Sequence, residues 1–182
     1  MKIVVLYGST REHGNTEVLT EQVIKNLPVQ RIFLKDFQIA PIVDQRHDES
    51  GFTKVRDDYE QIVLPMMDAD VLIFATPIYW YGMSSIMKTY IDRWSQTARD
   101  DGYSNFKEVM SNKQVYLIAV GGDEPRIKGL PLIQQFEYIC EFMNFTFKDY
   151  ILGNAVKPSE IIQDEKSMQY AKTINKTLLE TQ

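Results

Sequence analysis

The 182-residue chain predicts an α/β fold, a three-layer αβα sandwich around a five-stranded parallel sheet. Three observations carry this expectation. Five short apolar runs alternate with helical patterns along the chain. The runs are apolar nearly throughout, which means burial on both faces and a parallel sheet covered by helices on both sides. Five strands also favour an open sheet over a closed barrel of eight.

The first run, Ile3–Tyr7, is β-branched and ends at Gly8, as a buried strand does. Thr16–Leu27 follows with Val18, Leu19, Val23, Ile24 and Leu27 in a helical stripe. Gln30–Leu34 reads as the second strand, and Lys35–Gly51 has no period and reads as a loop. Thr53–Met67 predicts a helix with Val55, Tyr59, Ile62, Val63 and Met66 on one side. Val71–Ala75 is the third strand, stopped by Pro77. Ser84–Trp94 is helical, Val115–Val120 is the fourth strand, and Leu130–Met143 is helical again. Phe145–Leu152 is the fifth strand and Glu165–Leu179 the last helix. No linker or repeat divides the chain, so residues 1–182 form one domain.

Composition narrows the function. Hydrophobic residues at 44% and charged residues at 25% suit a globular domain. A net charge of −5 speaks against nucleic acid, whose binders need a basic face. No apolar stretch reaches membrane-spanning length. The single cysteine, Cys140, allows no internal disulfide, and with two histidines at no ligand spacing it builds no zinc site. A cytoplasmic location is the expectation.

Right-handed crossovers put every strand-to-helix loop at one edge of such a sheet, where ligands bind. The loop Gly8-Ser9-Thr10-Arg11-Glu12-His13-Gly14-Asn15-Thr16 opens onto a helix start, with its unpaired N–H groups and positive dipole end. Ser9, Thr10, Asn15 and Thr16 add neutral donors, and Arg11 adds a fork that matches phosphate oxygens. Gly14 would let the backbone approach a ligand. Together they predict a site for a phosphate dianion. It is no Walker A loop, since five residues separate the glycines and Asn15 stands where the lysine belongs. It is no dinucleotide fingerprint, since Gly8-Ser9-Thr10 breaks the Gly-x-Gly spacing. A capped helix, with Asn15 or Thr16 as the cap, would need the same residue types.

The loop after the third strand, Thr76-Pro77-Ile78-Tyr79-Trp80-Tyr81-Gly82-Met83, carries three successive aromatics between a stiff entry and a free exit. It suits a flat ligand, or a hydrophobic patch covered by helices or a partner subunit. After the fourth strand, Gly121-Gly122-Asp123-Glu124-Pro125 permits close approach to a ring, or simply makes a turn.

In combination these loops, with Ala69-Asp70 ahead of the third strand and Met87-Lys88-x-x-Ile91-Asp92-Arg93 beyond it, resemble the NAD(P)H-dependent FMN reductase family. Within it the chain is most similar to the iron–sulfur-flavoprotein-like branch. The resemblance covers nearly the whole chain in order. It implies a flavodoxin-like fold, bound FMN, and a homodimer or homotetramer. It also implies an oxidoreductase that passes hydride from NADH or NADPH through FMN to a small electron acceptor, such as a quinone, nitro compound or flavin. By matching position, Ser9, Thr10, Arg11, Gly14, Asn15 and Thr16 would hold the phosphate. Pro77, Ile78, Tyr79, Trp80, Tyr81 and Gly82 would flank the isoalloxazine and ribityl chain. Gly121, Gly122 and Asp123 would lie at the other edge of the ring. No residue is assigned a catalytic role and none a metal.

Two positions depart from the family. Thr10 stands where proline is common. The loop Phe37–His47 has none of the closely spaced cysteines that hold an iron–sulfur cluster in cluster-bearing members, which excludes one here. An FMN electron carrier reduced by a partner protein is the alternative function, and a flavin-free interaction protein a third.

Overall fold

The computed structural model describes residues 1–182. Its five strands are β1 (Ile3–Tyr7), β2 (Val29–Phe33), β3 (Val71–Pro77), β4 (Gln114–Gly121) and β5 (Thr146–Asn154). They form one sheet in the order β2-β1-β3-β4-β5, and every pair is parallel. This is the flavodoxin-like αβα sandwich. The order reverses between β1 and β3, where Ile3 to Tyr7 run in register with Val71 to Ala75. The crevice that such a reversal opens lies at the carboxyl ends of those two strands.

Strand alternation sends side chains into two separate cores. Val4, Leu6, Leu72, Phe74, Leu117 and Ala119 join one cluster. It is completed by α2 (Tyr59–Asp68), α3 (Ser85–Asp92) and α7 (Leu130–Met143). Ile3, Val5, Tyr7, Ile73, Ala75, Ile118 and Val120 join the other. There they meet α1 (Asn15–Val23) and α8 (Glu165–Glu180). Burial on both faces is why these strands read as unbroken apolar runs. No helix is long and apolar enough to cross a membrane.

Three further α-helices are short: α4 (Trp94–Thr97), α5 (Phe106–Met110) and α6 (Pro125–Lys128). The sequence expectation ran one helix from Ser84 to Trp94. Instead Ser84 is the N-cap of α3, accepting from the Met87 N–H at 3.4 Å, and a break at Arg93 separates α3 from α4. The expected helix from Thr53 begins only at Tyr59. The reason is Asp57, whose carboxylate accepts from the N–H groups of Ala40 at 2.9 Å and Tyr59 at 3.3 Å and from Arg93 Nη1 at 2.6 Å. Arg93 therefore pairs with Asp57 rather than with its neighbour Asp92, which takes Lys88. Both side chains of the Arg93–Asp57 pair are nearly buried, and Arg93 also donates to the Ala40 carbonyl and lies over the Tyr59 ring. The pair ties the irregular stretch 37–58 to the helical layer, together with the bond from Gln96 Nε2 to the Thr53 carbonyl at 3.2 Å and the packing of Phe37 and Ile39 on the core. Cys140 is buried in α7, and burial pushes its thiol up to about 12, far from a reactive thiolate.

Candidate functional site

The loop after β1 is tied down at both ends. The Gly8 N–H donates to the Ala75 carbonyl at 2.7 Å, carrying the β1–β3 pairing one residue past the strand. A Cβ on Gly8 would stand 2.8 Å from Ser84 Oγ and 3.0 Å from Met87 Cε, so only glycine fits where the loop crosses α3. Ser84 in turn donates its N–H to the buried Thr76 hydroxyl at 3.0 Å. The loops after β1 and β3 are thus braced against the same helix start.

Gly14 is the N-cap of α1, and it offers no capping side chain. Its φ of −71° is ordinary, and a Cβ there would meet Arg11 at an unstrained 3.5 Å. The left-handed residue of the loop is His13, at φ 50°. Neither conformation nor space therefore demands glycine at position 14. Its effect is to leave the first N–H groups of α1 without a side-chain acceptor. A cap by Asn15 or Thr16, the alternative reading of this loop, does not form, because Gly14 holds that position.

The side chains of the loop divide into two groups. Asn15 turns away: its Nδ2 donates to the Lys157 carbonyl at 2.8 Å, and its Oδ1 accepts from the Ile161 N–H at 3.3 Å. It stitches α1 to the chain after β5, so only its backbone N–H is left for a ligand. The buried Ser9 hydroxyl accepts from the Arg11 N–H at 3.2 Å and sets the turn. Thr16 is buried and its hydroxyl has no partner within the chain, while Thr10 and Arg11 are exposed. Arg11 pairs with no carboxylate. The nearby carboxylates are engaged, Glu12 with Lys35 at 3.2 Å and Glu17 with the His13 N–H at 2.7 Å. An uncapped helix start, two hydroxyls and a free guanidinium fit a phosphate.

The loop after β3 is a tight hairpin. Tyr79 and Gly82 exchange both backbone hydrogen bonds at 3.0 Å, leaving Trp80 and Tyr81 as the two central residues. Both have positive φ, 48° and 65°. That is the pattern of a type I′ turn, usually built from Asn-Gly or Gly-Gly. Gly82, expected to free the exit, has an ordinary φ, and the left-handed conformation falls on the aromatics instead. Pro77 closes β3 with a trans bond, and the Ile78 N–H donates to the Val120 carbonyl at 2.8 Å.

Gly121 is small for reasons of space: a Cβ there would stand 3.1 Å from Ile78 Cβ. A Cβ on Gly122 would meet only the exposed side chain of Val156, which can turn aside. Asp123 joins the two loops: its carboxylate accepts from Tyr81 Oη at 3.0 Å and from Lys128 Nζ at 2.6 Å. Lys128, then Tyr81, hold the Asp123 carboxyl below its usual range. Between the loops lies a slot of about 150 Å³, lined by Ile78, Trp80, Tyr81, Gly121, Gly122, Asp123, Pro125 and Lys128. The sequence reading gave Lys128, Thr76 and Ser84 no role in the site. Thr76 and Ser84 flank the aromatic segment, but nothing in a one-dimensional pattern shows that their hydroxyls meet. Lys128 follows Asp123 by five residues, and only the turn at Glu124, φ 44°, brings them together.

YwqN of Bacillus subtilis, which carries the name NAD(P)H-dependent FMN-containing oxidoreductase, is 50% identical over 176 residues, covering 97% of each chain. An FMN-dependent NADH:quinone oxidoreductase of Cellvibrio japonicus is 24% identical over 152 residues, 74% of this chain and 75% of the relative. Among solved structures, the Trp repressor binding protein from Bacillus subtilis superposes with a TM-score of 0.81 at 44% identity, over 95% of this chain and 97% of that one. Residues 1–130 match the family described as NADPH-dependent FMN reductase, and the chain belongs to that family, as an FMN-containing oxidoreductase that uses NAD(P)H.

Proposed function

We propose that the loop Gly8–Thr16 binds the FMN phosphate, that the loops after β3 and β4 bind its ring, and that the electrons pass to a small planar acceptor: a quinone, a nitro compound or a flavin. The observation that carries this reading is the start of α1. A helix N-terminus without a capping side chain stands at the reversal of strand order, next to a slot between two glycine-bearing loops.

When bound, FMN supplies the redox chemistry. The chain's part is binding and positioning. The first N–H groups of α1 and the Thr16 hydroxyl donate to phosphate oxygens, Arg11 adds a charged fork, and Ser9 fixes the turn that presents them. Gly121 and Gly122 leave backbone rather than side chain as one wall of the slot. Ile78 supplies the apolar contact opposite Gly121. Asp123 holds the hairpin and the Lys128 ammonium at the rim. No side chain is assigned as acid or base. The name of the Cellvibrio japonicus relative supports a quinone among the acceptors.

A homodimer, or a homotetramer built from it, is proposed on the flank of α3, α4 and α7. There Tyr138 and Phe142 are 61% and 71% exposed beside an apolar-floored groove of about 660 Å³.

The test is a spectrum of the purified protein followed by anaerobic addition of NADH or NADPH. The expected result is a yellow protein that bleaches within minutes. Colour that persists for hours would favour a carrier reduced by a partner protein. A colourless protein that leaves the fluorescence of added FMN unchanged would remove the flavin site.

A further inference from the structure

We propose that Trp80 determines acceptor specificity: its indole is the outer stacking face for planar, electron-poor aromatic acceptors, quinones above all. The inference rests on the reading of the slot as the flavin's site. Trp80 is 95% exposed, whereas the other tryptophan, Trp94, is 5% exposed and packs edge-on against Phe74, Tyr90 and Phe145. A large apolar side chain that touches so little contributes almost nothing to folding.

Its backbone makes the placement costlier still. Trp80 and Tyr81 are consecutive non-glycine residues in the left-handed region, where a side chain crowds its own backbone. Small residues would make the same two-residue turn with less strain. An observed outlier of this kind is a reason to look for function. Within the pair the roles divide. Tyr81 is committed to Asp123 by its hydroxyl. Trp80 has no partner, yet it lines the slot together with Ile78 and Gly121. An indole held at the rim and free on its faces suits a transient planar guest.

The acceptor class follows from the ring. Indole is electron-rich, and a quinone is flat and electron-poor, so their faces are complementary. A compact octahedral oxidant such as ferricyanide offers no face to stack. In the step concerned, a quinone takes two electrons from reduced FMN and two protons and leaves as the hydroquinone. Two ferricyanide ions take one electron each from the same donor.

The test uses the FMN-loaded protein and its Trp80→Ala and Trp80→Phe variants, reduced anaerobically with one equivalent of dithionite. Each is mixed rapidly with menadione or with ferricyanide, and reoxidation is followed by flavin absorbance. The ratio of the menadione to the ferricyanide rate constant should fall about 3- to 10-fold in Trp80→Ala, the value of one aromatic stack, and recover in large part in Trp80→Phe. An unchanged ratio overturns the proposal. So does an equal fall of both rate constants, which would make Trp80 a contact of the flavin alone. Dithionite replaces NAD(P)H here, so a protein that NAD(P)H does not reduce still gives the answer. A wild-type protein that takes up no FMN defeats both readings together.

Discussion

Tyr81 Oη donates to Asp123 Oδ2 at 3.0 Å, and through that bond the hairpin after β3 is held to the loop after β4. The other oxygen of the same carboxylate takes Lys128 at 2.6 Å. All three side chains reach solvent, so the contact is of the kind that can open and close. The slot it spans, about 150 Å³, is smaller than the roughly 300 Å³ at which ligand pockets usually begin. The bond therefore bears on how firmly a ring would be held there.

Tyr81→Phe removes the bond and leaves the ring of the side chain in place. A hydrogen bond to a charged group contributes about 1.5–3 kcal/mol net, but this one is exposed, and the lower range of about 0.5–1.5 kcal/mol applies. The variant should bind FMN roughly 2- to 10-fold more weakly if the bond closes over the bound ring. Stopped-flow fluorescence checks the origin of the loss, which should lie in a faster FMN dissociation. A slower association with unchanged dissociation would place the bond outside the bound state.

Arg11→Ala tests the phosphate end. Arg11 is exposed and has no carboxylate partner, so its removal leaves no buried charge unpaired. The loss should be that of a charged hydrogen bond, about 1.5–3 kcal/mol in FMN affinity. Fluorescence titration measures it. Riboflavin lacks the phosphate and should bind the variant and the wild type alike. Equal weakening of both ligands would take Arg11 out of the phosphate site.

The two glycines of the same loop should behave in opposite ways. Gly8→Ala brings a Cβ to 2.8 Å from Ser84 Oγ and 3.0 Å from Met87 Cε, in the middle of a packed core. Overpacking of this kind costs about 1–3 kcal/mol, and urea denaturation should show it. Gly14→Ser has room, since the nearest contact of a Cβ is 3.5 Å. Its hydroxyl should cap α1 and raise the stability of the flavin-free protein by a few tenths of a kcal/mol. The same hydroxyl would occupy the N–H groups proposed to hold the phosphate, so FMN should bind more weakly. A Gly14→Ser variant with unchanged FMN affinity would separate the helix start from the phosphate.

The contrast between these glycines shows where the sequence is informative. The strands are legible because burial on both faces leaves a run such as Val71–Ala75 with no polar residue to interrupt it. The loops are legible as loops, by their glycines and their place after strands. Direction is what a linear pattern lacks. Asn15 has the chemistry of a phosphate donor and spends it on Lys157 and Ile161, 142 and 146 positions away. Gly82 has the freedom for a left-handed turn, while Trp80 and Tyr81 adopt it. The apolar spacing of Val55 and Tyr59 matches a helix, yet a long-range ion pair from Arg93 holds Asp57 and keeps the preceding turns from forming. Tertiary contacts overrode local preference in each case.

That ion pair also sets an acid limit on the fold. Burial alone would raise the Asp57 carboxyl, but hydrogen bonds from Ala40, Arg93 and Tyr59 outweigh it and hold it below the usual carboxylate range. A group whose pKa is depressed on folding stabilises the folded state above its unfolded pKa, about 3.9 for aspartate. That stabilisation disappears as the pH falls through the lower folded value. Asp57→Asn should therefore destabilise the protein at pH 7 by about 3–5 kcal/mol, because Arg93 is left buried without its counter-charge. Below about pH 4 the difference should shrink, since the unfolded wild-type chain then takes up the proton that the folded carboxylate still refuses. Urea midpoints of the two proteins, measured from pH 7 down to pH 3, give the comparison. Parallel curves throughout that range would mean that the Asp57 charge does not stabilise the stretch 37–58, and that its hydrogen bonds to Ala40 and Tyr59 hold it unaided.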